Sequence, residues 1–216
     1  MIYKKERYIF LALLFLCNVL TIYAQENWVL NSTADGIEVY TSEGNSKYNS
    51  FKGHIVLESS IYSFVAFLND IDEYKNWGYK TKEVSLLKKV SDTFQIYRVI
   101  TKVSFPYKNR DGVYQNKFKW ISKSNTLIVD IKTLDTYIPE DEDYVRVRGS
   151  GFWKVMVLPS GKLDITFQMQ IDPGGNIPAW LVNMFIDTTP YHTLLNLRAF
   201  LKKEKYQNKT FSFIKL

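Results

Sequence analysis

One cysteine, Cys17, is the only thiol in the 216-residue chain. A disulfide framework is therefore excluded, and so is a cluster of thiolate metal ligands. Histidine is nearly as scarce: with only His54 and His192, a three-histidine catalytic zinc site cannot be assembled. No Gly-x-Ser-x-Gly elbow presents a nucleophilic serine. Proline and glycine number 6 and 10, and no Pro- or Ser-rich linker, internal repeat or low-complexity tract divides the chain. Neither sign of charge dominates, because 28 Lys and Arg against 22 Asp and Glu leave a net +6. The surplus is spread out and forms no basic stripe of the kind that displaces counterions from a nucleic acid. No nucleic-acid partner, metal or cofactor is expected. Apolar material, by contrast, is plentiful. At 46% hydrophobic and 16% aromatic residues the chain is too apolar for a disordered tail, so a packed core is required.

The first seven residues, Met-Ile-Tyr-Lys-Lys-Glu-Arg, put positive charge ahead of an apolar run that ends at Ala24. This is the build of a secretory signal peptide, whose basic end stays on the cytoplasmic side while the apolar stretch enters the membrane. Residues 8–24 count 17, at the short end for a span, and include Asn18 and Thr21, which favours cleavage near Ala24 over a retained anchor. Bulky Leu16, just before Cys17, stands against a lipoprotein cleavage box. The expectation is a leader over residues 1–24, one domain over residues 25–216, and a secreted or periplasmic location. Loss of Lys4, Lys5, Arg7 and Glu6 would leave a net charge of +4. The densest basic cluster, Lys202, Lys203, Lys205 and Lys209, reads as a solvated helix end favoured by the helix dipole. Attraction to anionic lipid headgroups is its functional alternative.

From Trp28 onward the pattern is alternating and rich in Val, Ile, Tyr, Phe and Thr. Strands are expected over residues 28–30, 37–41, 48–57, 84–90, 93–104, 112–121, 126–134, 144–158 and 162–171. Turn residues separate several of them at hairpin distance: Ser91-Asp92, Ser124-Asn125 and Ser160-Gly161. An antiparallel meander follows. Two segments depart from it. Residues 58–74 carry Ile61, Phe64, Val65 and Leu68 at helical spacing behind a Ser59 or Ser60 N-cap. Residues 177–206 form a long amphipathic stretch with Pro190 expected to kink it. A helix of that length laid over a curved sheet closes a core from one side and can leave a tunnel between the two layers.

Local chemistry explains the most unusual motifs. In Asp172-Pro173-Gly174-Gly175 the proline pre-sets a turn and the glycines accept positive φ, so the strand ends abruptly. Asn176 can then cap a helix whose first turn holds Pro178, with Trp180 pointing back to the sheet. Arg110 and Asp111 read as members of a salt-bridged hydrogen-bond network at a strand start, a structural role rather than a catalytic one.

The same residues carry a family resemblance. Trp28-Val29-Leu30 followed by Asp35-Gly-Ile-Glu-Val-Tyr40, then Phe105-Pro106 with Arg110-Asp111, then Asp172-Pro-Gly-Gly-Asn-Ile-Pro-Ala-Trp-Leu-Val-Asn183, resemble in order the START (StAR-related lipid-transfer) domains of the helix-grip, Bet v 1-like superfamily. The resemblance runs from Trp28 to about Lys203 and suggests a bacterial secreted member. It implies an α+β helix-grip fold: a curved antiparallel sheet wrapped around a long C-terminal helix, with short helices after the third strand. It also implies a hydrophobic tunnel that shields one lipid, fatty-acid-like or sterol-like molecule, for transfer or sensing. Residues 137–144, Tyr-Ile-Pro-Glu-Asp-Glu-Asp-Tyr, resemble the family's loop over the tunnel mouth; a solvated hairpin turn has the same acidic pattern. Arg146 and Arg148 share a strand face by alternation, and one of them is placed to answer that loop.

Alternation and helical phase supply candidate lining residues. From the strands these are Tyr97, Val99, Phe118, Trp120 and Ile128, then Trp153, Val155, Phe167 and Met169. From the C-terminal helix they are Trp180, Met184, Phe185 and Thr188. A filled core has the same binary pattern, so an interaction protein with no open tunnel stays open as a reading. In sterol-binding family members a buried arginine and an acidic residue face the ligand's polar end; the corresponding positions here are Asn116 and Tyr97. A neutral pair of this kind can still exchange a hydrogen bond with a hydroxyl or carbonyl. The rival class is an enzyme of the same superfamily, a cyclase or hydrolase, with His192, Asp187, Asp164 or Tyr97 as acid/base candidates. The partners expected are a hydrophobic small molecule and, transiently, a membrane surface, with the protein itself a monomer.

Overall fold

The computed structural model describes residues 27–42, 49–178, 182, 186 and 188–216. Its strands fall close to the alternating segments: β1 Val29–Ala34, β2 Ile37–Ser42, β3 Ser50–Leu57, β4 Thr81–Ser91 and β5 Phe94–Thr101. They continue with β6 Arg110–Ile121, β7 Thr126–Thr133, β8 Val145–Arg146, β9 Arg148–Val157 and β10 Leu163–Asp172. Helices α1 Ile61–Asn69 and α2 Tyr74–Trp77 lie between β3 and β4, and α3 Thr188–Phe200 follows the last strand. The architecture is α+β, as the resemblance implies. The leader-like residues 1–24, Cys17 among them, lie outside the described residues, and among those described no helix is long and apolar enough to cross a membrane.

The sheet order is β1-β2-β3-β10-β9-β7-β6-β5-β4, antiparallel throughout this path. A plain meander would set β4 beside β3. Instead β10 takes that place, with Ile165 opposite Ile55, while the α1–α2 connection carries the chain to the far edge. The expected strand over residues 144–158 is split. Val145 and Arg146, as β8, pair in parallel with the start of β6, Asp111 opposite Arg146, before β9 joins β7 and β10.

Alternation then buries one face. Ile37, Val39, Ile55, Leu127, Val129, Val155, Leu163 and Ile165 all point into a continuous core. Helix α1 starts where a serine can cap it: Ser60 Oγ accepts the Tyr62 N–H at 3.1 Å. Its apolar stripe of Ile61, Phe64, Val65, Phe67 and Leu68 plugs one half of the grip. Helix α3 adds Leu194 and Leu197 from the opposite side.

The C-terminal helix ends earlier than expected, at Phe200 rather than near Tyr206. Leu201 is its last buried apolar contact, and beyond it a 3-10 turn over Glu204–Tyr206 folds the Tyr206 ring edge-on to Phe67 at 5.7 Å. The basic cluster there is partly consumed: Lys203 Nζ reaches Glu73 at 3.1 Å and Lys205 Nζ reaches Asp70 at 2.7 Å. Pro190 stands in the first described turn of α3; of the stretch expected to precede it, residues 179–181, 183–185 and 187 lie outside the described set. The last ten residues return to the core, burying Ile214 and taking the Trp120 indole N–H on the Lys215 carbonyl at 3.1 Å.

Phe67 shows how much this packing is worth. Its ring touches those of Trp77, Phe200 and Tyr206. Phe67→Ala is expected to lower unfolding free energy by about 3–5 kcal/mol, read from urea denaturation.

Candidate functional site

One half of the grip is filled by α1; the other holds a cavity of about 440 Å³. Its wall is built from side chains on one face of neighbouring antiparallel strands. Strand β5 contributes Tyr97, Val99 and Thr101, β6 contributes Arg110, Tyr114 and Asn116, and β7 contributes Ile131. Strands β9 and β10 add Trp153, Phe167, Met169 and Ile171. Helices close the other side through Tyr74, Trp77, Thr189 and Thr193, with Ile177, Val182 and Ile186 from the segment ahead of α3. Where core and cavity meet, Trp153 stacks on Phe167 at 4.1 Å and takes Phe64 of α1 edge-on at 5.6 Å.

Of the candidate lining residues, Tyr97, Val99, Asn116, Trp153, Phe167 and Met169 stand on this wall. Phe118 and Val155 do not: they continue the same strands into the half that α1 fills, and are buried core. Trp120 lies further along β6 against the C-terminal tail. Ile128 is on the other face of the sheet, between Lys119 and Lys154. Thr188 opens α3 off the wall, whereas its neighbours Thr189 and Thr193 are on it. Trp180, Met184 and Phe185 lie outside the described residues, as does Asp187. Sequence reasoning missed Tyr114, which shares strand parity with Asn116, and it missed Tyr74 and Trp77, which only the path of α2 brings in.

The motif residues frame one end of the cavity. Arg110 Nε donates to the Pro173 carbonyl at 2.9 Å and Nη2 to that of Gly174 at 3.2 Å, with Nη1 on the Lys108 carbonyl. It thereby ties the start of β6 to the turn that ends β10. In that turn Asp172 Oδ1 accepts the Gly174 N–H at 2.9 Å. Gly174 has φ +64°, and a Cβ there would meet the Arg146 carbonyl at 2.6 Å, so both conformation and space require glycine. Asp111 is only 1% exposed. It receives Arg98 in a fork, Nε and Nη2 each at 3.0 Å, and Arg146 Nη2 at 3.0 Å.

Those two arginines also hold the acidic loop. Arg146 donates to the carbonyls of Asp135, Ile138 and Pro139, and Arg98 reaches Asp141 at 3.4 Å. Arg148 pairs with Asp135 at 3.0 Å and Glu140 at 3.8 Å. Residues 137–144 are therefore clamped beside the sheet, and none of them lines the cavity. The rim belongs instead to the β5–β6 loop, Lys102, Val103, Ser104, Phe105 and Tyr107, with Tyr79 and Lys80 beside it, the Lys80 carbonyl accepting the Lys102 N–H at 2.8 Å. Phe105, followed by a cis bond to Pro106, is 95% exposed at its tip.

The acid/base candidates are scattered. Asp164 is on the outer sheet face, where His54 bridges it and Glu38 at 3.2 Å each. His192 stacks on Tyr79 at 4.7 Å. Among the described residues no three His, Cys, Asp or Glu side chains converge to hold a metal ion.

Inside, the rings of Tyr74, Tyr97 and Tyr114 pack in series, 5.7 and 5.8 Å apart, and the Tyr97 hydroxyl donates to Asn116 Oδ1 at 3.2 Å. Gly112 makes room for this, because a Cβ there would strike the Tyr114 ring. Burial pushes the Tyr74 hydroxyl up to about 12 and those of Tyr97 and Tyr114 well above the ordinary 10.0. A hydroxyl raised in the folded state stabilises the fold below its unfolded value, and that stability is lost as pH rises through the folded value. The chain is thus expected to lose stability from about pH 10 upward. In denaturant titrations across that range, Tyr74→Phe should remove about 2 kcal/mol of the loss.

A START-domain family model matches residues 21–206, and the chain belongs to that family. Its sequence is 31% identical over 180 residues to an uncharacterized protein of Pseudomonas aeruginosa, covering 82% of this chain and 88% of that one. It is 30% identical over 166 residues to the phosphatidylcholine transfer protein of Rattus norvegicus, covering 73% and 75%. Among solved structures, the STAR-related lipid transfer protein of Xanthomonas axonopodis superposes with a TM-score of 0.76 at 31% identity, covering 82% of this chain and 99% of that one. Human StAR-related lipid transfer protein 5 shares the fold at 15% identity, with a TM-score of 0.68 over 92% and 96%.

Proposed function

We propose that this protein binds one hydrophobic, lipid-like molecule in the cavity between sheet and C-terminal helix, for lipid transfer or sensing. The observation that carries the reading is the concave space of about 440 Å³ walled by aromatic and aliphatic side chains in a chain of this family. Burial of hydrocarbon supplies the driving force, about 0.8 kcal/mol for each CH₂ withdrawn from water. No covalent step is required. A relative named for phosphatidylcholine transfer makes phospholipids natural first probes.

Entry fits the rim around Phe105. An apolar ring 95% exposed, with Lys80 and Lys102 on the same rim, suits transient contact with an anionic bilayer surface. The leader-like N-terminus favours action outside the cytoplasm. The test is transfer of fluorescent phospholipid, fatty-acid and sterol analogues between vesicles. Accelerated transfer of at least one class, slowed by Phe105→Asp with equilibrium binding retained, supports the reading. No acceleration and no binding of any class would remove it.

A further inference from the structure

The cavity uses one face of the sheet. On the other face, alternation along β6, β7 and β9 gathers lysines that are dispersed in the sequence: Lys117 and Lys119 of β6, Lys132 of β7 and Lys154 of β9, all exposed. The strand register sets them side by side. Lys119 and Lys154 flank Ile128, Lys117 faces Asp130, and Lys132 stands one diagonal step from Lys117. Lys119 and Lys154 are two strand spacings apart, roughly 10 Å, which is about a Debye length at physiological salt, so their fields add.

Other lysines of the protein are answered. Lys89 pairs with Asp92, Lys162 with Glu58, Lys203 with Glu73 and Lys205 with Asp70. The four on this face make no ion pair with a described residue, and Asp130, the one acidic side chain on the outward positions of these strands, makes none either. The helices pack into the core on the opposite side and leave the lysines uncovered.

The character of the face selects its partner. All three strands are interior to the sheet, so their backbone N–H groups are spent on neighbouring strands and form no nest for a single phosphate. Ile128 and Phe152, the apolar residues among the lysines, are half-buried, so the protruding aromatic anchor on which a specific protein interface centres is missing. A broad positive surface of this kind is complementary to a broad negative one, the headgroup layer of an anionic membrane.

We propose that the outer face of β6, β7 and β9 is an adsorption surface for an anionic bilayer, separate from the cavity mouth. Lys119 lies nine residues beyond Arg110, where β6 leaves the rim loop, or roughly 30 Å along the strand. Contact through Phe105 brings an apolar ring to the bilayer beside the ligand's path. Contact through the lysines is electrostatic, gathers the protein at the membrane and leaves the mouth free. It goes beyond the transfer reading and does not depend on what the cavity holds.

The test is co-sedimentation of the protein with vesicles of phosphatidylcholine alone and of phosphatidylcholine with phosphatidylglycerol, two to one. Wild type should prefer the anionic vesicles and lose that preference between about 0.05 and about 0.5 M salt. Lys119→Glu combined with Lys154→Glu should lower adsorption at least about tenfold, and the milder Lys119→Gln with Lys154→Gln about fivefold or more should the first fail to fold, as thermal melts will show. A control of equal net charge, Lys75→Glu with Lys209→Glu, changes exposed lysines of α2 and the tail and should cost less than about twofold. Uptake of a fluorescent fatty acid from cyclodextrin should be unchanged in the lysine-face variants, and Phe105→Asp should keep most of the adsorption. Unchanged adsorption in a folded lysine-face variant, or equal loss in the control, overturns the proposal and leaves the cavity reading intact. Wild type that binds both vesicles alike also overturns it, and turns the face toward an acidic protein partner.

Discussion

Replacing Asp111 by alanine is expected to destabilise the protein by about 3–5 kcal/mol, one of the largest single effects available. The carboxylate is buried between two guanidiniums, and Arg146, whose side chain is also almost wholly buried, would keep its charge with no counter-ion. The loss spreads, because the same arginine holds three carbonyls of the 135–139 turn. Urea denaturation gives the number. A second measurement isolates the cause: the double variant Asp111→Leu with Arg146→Leu should recover a large part of the loss, since no unpaired charge remains. A change below about 1 kcal/mol in Asp111→Ala would show that water or chain rearrangement neutralises Arg146 and that the network is not a keystone of the fold.

The second large effect concerns the cavity. Thr193 projects from α3 onto its wall, opposite the β5–β6 tyrosines, and its side chain is small. Thr193→Trp should place an indole in the space a ligand needs and lower lipid uptake by at least about tenfold, since the displaced ligand loses several buried CH₂ groups. Stability should change little, because the new ring enters a void rather than a packed interior. Uptake is read with a fluorescent acyl probe, and folding with a thermal melt. Unchanged uptake in a folded Thr193→Trp protein would move the binding site away from α3.

Much of the fold is legible in the sequence because most of its strands have one wet face. Alternation located the segments behind all ten strands, and Ser60 behaves as the cap that its position suggested. The β3–β10 pairing was not legible, because it joins segments more than a hundred residues apart and alternation says nothing about neighbours. The helix boundary at Phe200 was hidden for a related reason. Lys202, Lys203 and Lys205 are good helix formers, and the contacts that accompany the turn out of the helix are tertiary: Lys203 and Lys205 on Glu73 and Asp70, the Tyr206 ring on Phe67, and Gln207 Nε2 on the Leu201 carbonyl.

The site was legible in part. Tyr97 and Val99 came from parity and Asn116 from the family resemblance, and the parity of Asn116 offered Tyr114. Ile128 was misplaced because Leu127-Ile128-Val129 is an unbroken apolar run; the clearer alternation at Val129-Asp130-Ile131-Lys132 puts Ile131 on the wall and Ile128 outside. Phe118 and Val155 have the right parity but the wrong end of the sheet. Which end stays open depends on where α1 packs, and a binary pattern does not carry that information. The acidic run over residues 137–144 has the composition of a solvated loop, yet Arg98, Arg146 and Arg148 bind it to the scaffold, and the rim passes to the loop bearing Phe105.

Native mass spectrometry of the purified chain, followed by organic extraction of whatever travels with it, tests the central claim most directly. The account predicts one hydrophobic, lipid-like molecule per chain, released by solvent and displaced in the Thr193→Trp variant. A protein that is empty as isolated and also refuses phospholipid, fatty-acid and sterol probes would contradict it, and would make the cavity a packing feature rather than a binding site.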